Sequence, residues 1–206
     1  MIFGNKYEQK KLIGKGGIGV VYKVLDNKNN KFYALKFISN IKNVKKFKEE
    51  YEKHIRIMKN IKNKYIIELK DNFYDEINKG YCILMELYDE NLRQILNRIK
   101  PNRIPLNIIN KIFIQLNEAL KTMRLKNISH RNIKPENILI KYTSTNKIKF
   151  DIKLTDFEFL TNEINSFINI KGIKYYKAPE LKSNNYNDKN DLWSLGILLY
   201  LILILF

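Results

Sequence analysis

Apolar and polar positions alternate through the first third of this chain and change to a period of three to four further on. "KYEQKKLIGKGG", "IGVVYKVLD" and "KFYALKFIS" are short runs rich in β-branched and aromatic residues, with the polar "DNKNNK" between the last two. Runs of that kind, separated by turn residues, predict strands. Over residues 43–62, Val44, Phe47, Tyr51, Ile55, Met58 and Ile61 recur at three and four, which predicts an amphipathic helix. "YIIELKDNFY" and "GYCILMELY" predict two more strands, and "NLRQILNRI" and "LNIINKIFIQLNEALKTMRL" predict two more helices. "NILIKY" and "FDIKLTDF", joined by the polar "TSTN", read as a hairpin. Strands with one helix followed mostly by helices predict an α+β chain of two lobes, 1–87 and 88–206, with the boundary near Leu87 to Asn91.

Composition adds limits. The chain has 206 residues, 45% hydrophobic, enough to bury a core in one domain or in two small lobes. Its formal charge is +17, from 38 Lys plus Arg against 21 Asp plus Glu. Such a balance attracts nucleic acid, anionic membranes or phosphorylated ligands. The lysines are dispersed along the chain, where a nucleic-acid module more often concentrates them on one helix or arm, so a nucleic-acid partner is not expected. Cys82 is the single cysteine, which excludes an internal disulfide and a Cys-based zinc site. The opening "MIFGNKYEQKK" has no apolar signal core, so a cytoplasmic setting is expected, with the nucleus as the alternative. "GILLYLILILF" is strongly apolar but shorter than the roughly 20 residues a membrane span needs, and reads as a buried helix, with a crude tail anchor as the alternative.

Chemistry enters with "GKGGIGVVYK", which contains Gly14-x-Gly16-x-x-Gly19-x-Val21. Glycines let backbone N–H groups approach phosphate oxygens. A dinucleotide fold would place such a loop between a strand and a helix, and here strand-like sequence flanks it on both sides. Further on, "YALK" sets Lys36 on a strand, where an inward ammonium needs an anionic partner such as phosphate. With "HRN", "KPEN", "DFE", "KAPE" and "NDLWSLG" following in order, the chain resembles a eukaryotic protein kinase domain, of the Ser/Thr kind, from about Tyr7 to Phe206.

The resemblance implies a two-lobed kinase fold, an antiparallel sheet with one helix in the N-lobe and a mostly helical C-lobe. It implies that Gly14, Gly16 and Gly19 cover the phosphates of ATP and that Lys36 reaches the α and β groups. Val21, Ala34 and Leu139 would sandwich the adenine, with Met85 as gatekeeper. Asn137 and Asp156 would hold Mg2+, and Lys134 would approach the γ-phosphate. His130, with Phe157, would be structural rather than a proton shuttle, and Asp191 would anchor the catalytic loop. Arg131 would bind an activation-segment phosphate on Thr161 or Ser166.

Four positions depart from the family pattern. Asn132 stands where the family has the aspartate that accepts the substrate proton. His54 stands where a glutamate pairs with the strand lysine, and Glu50, about 5.4 Å earlier along the helix, is the alternative partner. Glu158 replaces the glycine after Phe157, and Ile173 replaces a threonine that bonds the catalytic loop. Family domains also continue for several helices past "NDLWSLG", so the resemblance implies a truncated C-lobe. Glu180 would then lack its arginine partner, and residues 195–206 would offer an apolar face to self-association or a protein partner. Three readings result: a domain that binds ATP and Mg2+ with impaired transfer (a pseudokinase), a slow Ser/Thr kinase, and a basic scaffold without nucleotide.

Overall fold

The computed structural model describes residues 1–16, 19–99, 103–144, 149–156, 175–176, 178–179 and 189–205. They fall into two compact units, one of Met1–Asn60 with Ile67–Leu87, the other of Ile61–Ile66 with Tyr88–Phe206.

The first unit is built on β1 (Ile2–Phe3), β2 (Tyr7–Lys15), β3 (Val20–Asp26), β4 (Lys31–Ile38), β5 (Leu69–Asp75) and β6 (Gly80–Met85). These pair antiparallel in the order β1-β2-β3-β4-β6-β5. Because side chains alternate across a strand, the two faces collect different residues. Phe3, Tyr7, Val24, Leu35, Phe37, Cys82 and Leu84 form a core on one face. Ile38, Tyr81 and Ile83 form a second core on the other, together with Tyr51 and Ile55 of α1 (Val44–Asn60). The predicted helical period is thus answered by a sheet face. Phe47 stacks on Tyr51 at 4.9 Å and meets Tyr81 edge-on at 5.8 Å, contacts worth about 0.5–1.5 kcal/mol each beyond their burial.

The second unit holds β7 (Glu90–Asn91), α2 (Leu92–Ile99), α3 (Leu106–Arg124), a 3-10 turn (Pro135–Asn137), β8 (Ile138–Tyr142), β9 (Phe150–Leu154) and α4 (Lys189–Tyr200). A short π-helical turn, Leu201–Leu205, follows α4. The small sheet runs β7-β8-β9, all antiparallel. Asn91 and Gln94 cap α2 reciprocally: Gln94 N–H donates to Asn91 Oδ1 at 2.9 Å, and Asn91 N–H donates to Gln94 Oε1 at 2.8 Å. Buried Gln115 ties α3 to β9 by accepting from Ile152 N–H at 2.9 Å. Leu92, Leu96, Ile112, Leu116, Ile138, Ile140 and Ile152 are fully buried.

The strand expected from Tyr65 begins at Leu69 instead. Tyr65 turns its carbonyl to Leu154 N–H at 2.8 Å, and Ile66 makes an isolated parallel bridge to Leu154. Asn63 donates to Thr122 Oγ1 at 2.7 Å and holds the same segment on α3. Partners in the second unit therefore outcompete the local strand preference of "YII". No helix among the described residues is long and apolar enough to cross a membrane.

Candidate active site

In the first unit, register decides which side chains meet. Directly opposed residues on antiparallel strands project to the same face. Gly14 opposes Val21, Val21 opposes Lys36, Lys36 opposes Ile83, and Ala34 opposes Met85. Val21, Ala34, Lys36 and Met85 thus share the face that also carries Ile38 and Ile83 of the α1 core. The glycine loop closes through Gly16 N–H donating to Gly19 O at 2.8 Å. A Cβ on Gly19 would lie 2.5 Å from Phe37 O, so the fold itself requires glycine there. At Gly14 and Gly16 a Cβ would meet nothing among the described residues closer than 3.4 Å and 3.6 Å. Packing does not demand glycine at either.

On α1, His54 is buried, and burial, reinforced by the charge of Lys53, pushes its pKa below the ordinary value. It packs against Tyr51 at 5.7 Å between ring centroids. Glu50 engages Lys46, one turn earlier on its own helix, at 3.7 Å.

In the second unit, the loop from Ser129 to Asn137 is held from two sides. Asp191, buried at the first turn of α4, accepts N–H bonds from both His130 and Arg131 at 2.7 Å, one on each oxygen. Burial raises its pKa, and His130, these two N–H groups and the Arg131 charge oppose the rise. The two bonds hold the backbone of Arg131 in the left-handed region, φ 64°. There a non-glycine residue costs about 1–2 kcal/mol.

His130 is fully buried, and desolvation drives its pKa down. Its Nδ1 accepts from Asn132 N–H at 3.2 Å and its Nε2 meets the Thr155 carbonyl at 3.0 Å. Acceptor on one side and donor on the other make a neutral imidazole committed to backbone. It is a structural histidine.

Three of the expected site residues converge here. Asn132 Nδ2 donates to Asp156 Oδ2 at 2.8 Å, and Asn137 Nδ2 donates to the Asn132 carbonyl at 2.7 Å. Thr155 N–H donates to the Asn137 carbonyl at 3.0 Å, which holds the strand end before Asp156 on the turn that carries Asn137. Asp156 itself is left-handed, φ 75°. Asn132 Oδ1 is buried and has no hydrogen-bond partner among the described residues. Lys134 is half-buried and extended, and its carbonyl takes Asn137 N–H at 3.0 Å. Leu139 lies half-buried between buried Ile138 and Ile140, so it faces away from the core beneath β8.

One cluster had no sequence signal. Arg93 on α2 donates to Glu136 Oε1 and to the Tyr176 hydroxyl, both at 2.9 Å, and Ser194 Oγ donates to the Tyr176 carbonyl at 2.7 Å. Arg93 and Tyr176 are 83 residues apart, beyond the reach of any local pattern. Phe157, Glu158, Thr161, Ser166, Ile173 and Glu180 lie outside the described residues.

Known proteins share this arrangement of chain. Calcium-dependent protein kinase 3 of Plasmodium yoelii yoelii is 34% identical over 200 residues, covering 93% of this chain and 35% of that protein. Serine/threonine-protein kinase TIO of Arabidopsis thaliana is 35% identical over 199 residues, covering 94% of this chain and 14% of that protein. The chain thus spans about a third or less of the length of these two relatives. A crystal structure of a kinase domain superposes with a TM-score of 0.77 at 26% identity, over 97% of this chain and 64% of that one. Residues 7–205 match the protein kinase domain family, and the chain belongs to that family.

Proposed function

We propose that this chain binds ATP with Mg2+ and is impaired in transferring the γ-phosphoryl group to a protein hydroxyl. The observation that carries the reading is Asn132. It occupies the base position with an amide whose nitrogen is committed to Asp156, while the glycines, Lys36, Asn137 and Asp156 of the family's nucleotide set are present. An amide oxygen has lone pairs but no useful basicity. General-base help is typically worth about 10²–10⁴ in rate, and that help is what the chain lacks.

The residues fit the group they would hold. Asn137 gives its amide nitrogen to the Asn132 carbonyl, which leaves its amide oxygen as the end for a hard cation. The Asp156 carboxylate is the second hard oxygen donor. Bare backbone at Gly14 and Gly16, which packing does not require, suits a loop approached by phosphate. Gly19 keeps the loop close to β4. By the resemblance, Lys36 would supply positive charge to the α and β groups and Lys134 to the γ group, and Val21, Ala34 and Leu139 would sandwich the adenine, with Met85 as gatekeeper. Magnesium, when bound, neutralises phosphate charge. Asn132 Oδ1, buried and unpartnered among the described residues, accepts a hydrogen bond from the substrate hydroxyl and orients it without taking its proton. That acceptor supports a second reading, a slow Ser/Thr kinase, since much of phosphoryl transfer is positioning and electrostatics.

Thermal unfolding with and without ATP and Mg2+ tests the binding. At 100 times Kd the ligand stabilises by about 2.7 kcal/mol, roughly 5–10 °C for a chain of this size. Lys36→Ala abolishes the shift. A cooperatively folded chain with no shift refutes ATP binding, and salt-sensitive nucleic-acid binding in that chain would support a basic scaffold. Phosphate transfer to protein that is lost in Lys36→Ala decides for the slow kinase.

A further inference from the structure

We propose that Asn132 is a positioning residue for Asp156, so that the asparagine at the base position does work that an acid there would not. The inference deepens the ATP–magnesium reading and rests on it only for the metal's part.

Asn132 touches both hard-oxygen residues. Its side-chain Nδ2 holds the Asp156 carboxylate at 2.8 Å, and its backbone carbonyl, which any residue at 132 supplies, takes the Asn137 amide at 2.7 Å. The side chain of a residue 3% exposed therefore sets Asp156, 24 positions further along the chain. The place of Asn132 is set by its N–H on His130 Nδ1 at 3.2 Å, and His130 is in turn fixed by Asp191 and Thr155. Asp156 needs such support. Its backbone is left-handed, a conformation that a non-glycine residue keeps only where its surroundings over-determine it. A charge-assisted bond from a buried amide is a strong restraint of that kind. The choice of donor matters. An aspartate at 132 would set a second acceptor against Asp156 Oδ2, two like charges in a buried place. Asparagine removes that repulsion and replaces it with attraction. Loss of the base and gain of the restraint are then one substitution, and restoring the acid destabilises the loop when no cation lies between the carboxylates.

The test uses the whole chain and four variants: Asn132→Ala, Asn132→Asp, Asp156→Asn, and the exchange Asn132→Asp with Asp156→Asn. Thermal unfolding is first measured without metal or nucleotide. Asn132→Asp is expected to melt below Asn132→Ala, because Ala loses the bond and Asp adds repulsion. The exchange, which rebuilds an amide–carboxylate pair with the donor reversed, recovers most of the loss. Equal melting of the Ala and Asp variants, or an exchange no better than the sum of its single changes, overturns the proposal. ATP affinity is then measured with and without Mg2+. Asn132→Ala weakens the magnesium-dependent affinity by about tenfold to a hundredfold, the usual cost of losing an outer-shell partner of a metal ligand, and leaves metal-free affinity unchanged. An unchanged magnesium-dependent affinity overturns the positioning role. A wild-type chain that binds no ATP refutes the nucleotide reading together with the metal's part, and the exchange cycle alone then upholds or refutes the restraint.

Discussion

Asp191→Ala removes the acceptor of two buried backbone N–H groups, those of His130 and Arg131. A buried donor left unsatisfied costs about 1–3 kcal/mol, so two cost about 2–6 kcal/mol. Some of that is offset, because burial disfavours the ionised carboxylate, as the raised pKa of Asp191 records. The net loss expected is about 2–4 kcal/mol, a large share of the roughly 5–15 kcal/mol that holds a domain folded. It should lower Tm by about 5–15 °C. Asp191→Asn keeps one acceptor oxygen and turns an NH2 toward the other N–H, so it loses roughly half as much or more. Urea unfolding followed by circular dichroism reads the effect as a lower midpoint at constant slope. The titration has a definite sign. Between the ordinary aspartate value of 3.8 and its raised folded value, the folded chain holds a proton that the unfolded chain lacks. Stability contributed by Asp191 therefore falls as pH rises through that window, and Asp191→Asn abolishes that part of the slope. A loss under about 0.5 kcal/mol for Asp191→Ala, the range of ordinary surface changes, would falsify the claim that this carboxylate holds the loop.

Gly19→Ala should destabilise the fold by about 1–3 kcal/mol, since its Cβ would meet Phe37 O at 2.5 Å. Gly16→Ala should leave stability within about 0.5 kcal/mol yet weaken ATP binding by about tenfold, or 1.4 kcal/mol; equal effects of the two on stability would refute the distinction. Asn91→Ala removes one half of the α2 capping box and should cost about 1 kcal/mol, read by the same urea titration and contradicted by an unchanged midpoint. His54 and His130 are buried with pKa values below 6.5, so below that pH the unfolded chain takes up protons that the folded chain refuses. Their contribution is complete above pH 6.5 and lost as pH falls below it. His54→Leu should flatten part of the fall in urea midpoint between pH ~7.5 and ~5, and an unaltered slope would count against a neutral buried His54.

The alternation of "KFYALKFI" and the three-and-four spacing from Val44 are local signals, and they became β4 and α1. A pattern of that sort survives when a face is available to bury it. β4 found β6, and α1 found Tyr81 and Ile83. The strand preference of "YII" lost for the opposite reason, because Leu154 and α3 offered Tyr65, Ile66 and Asn63 better partners from far along the chain. The two-residue strands Ile2–Phe3 and Glu90–Asn91 went unread, since they exist only through the strands they pair with.

At the site the division is sharper. The ordered motifs of the sequence carried the resemblance to the family, and with it the expectation that the glycine loop, Lys36, Asn137 and Asp156 form the site with an asparagine at 132 in place of the base. Only the tertiary structure decided that Arg93 reaches Tyr176 and that the Asn132 amide holds Asp156. Spacing along a chain encodes periodicity and turn chemistry, which act over a few residues. Which remote donor reaches which acceptor depends on how the strands register and the helices pack, and no single segment contains that information.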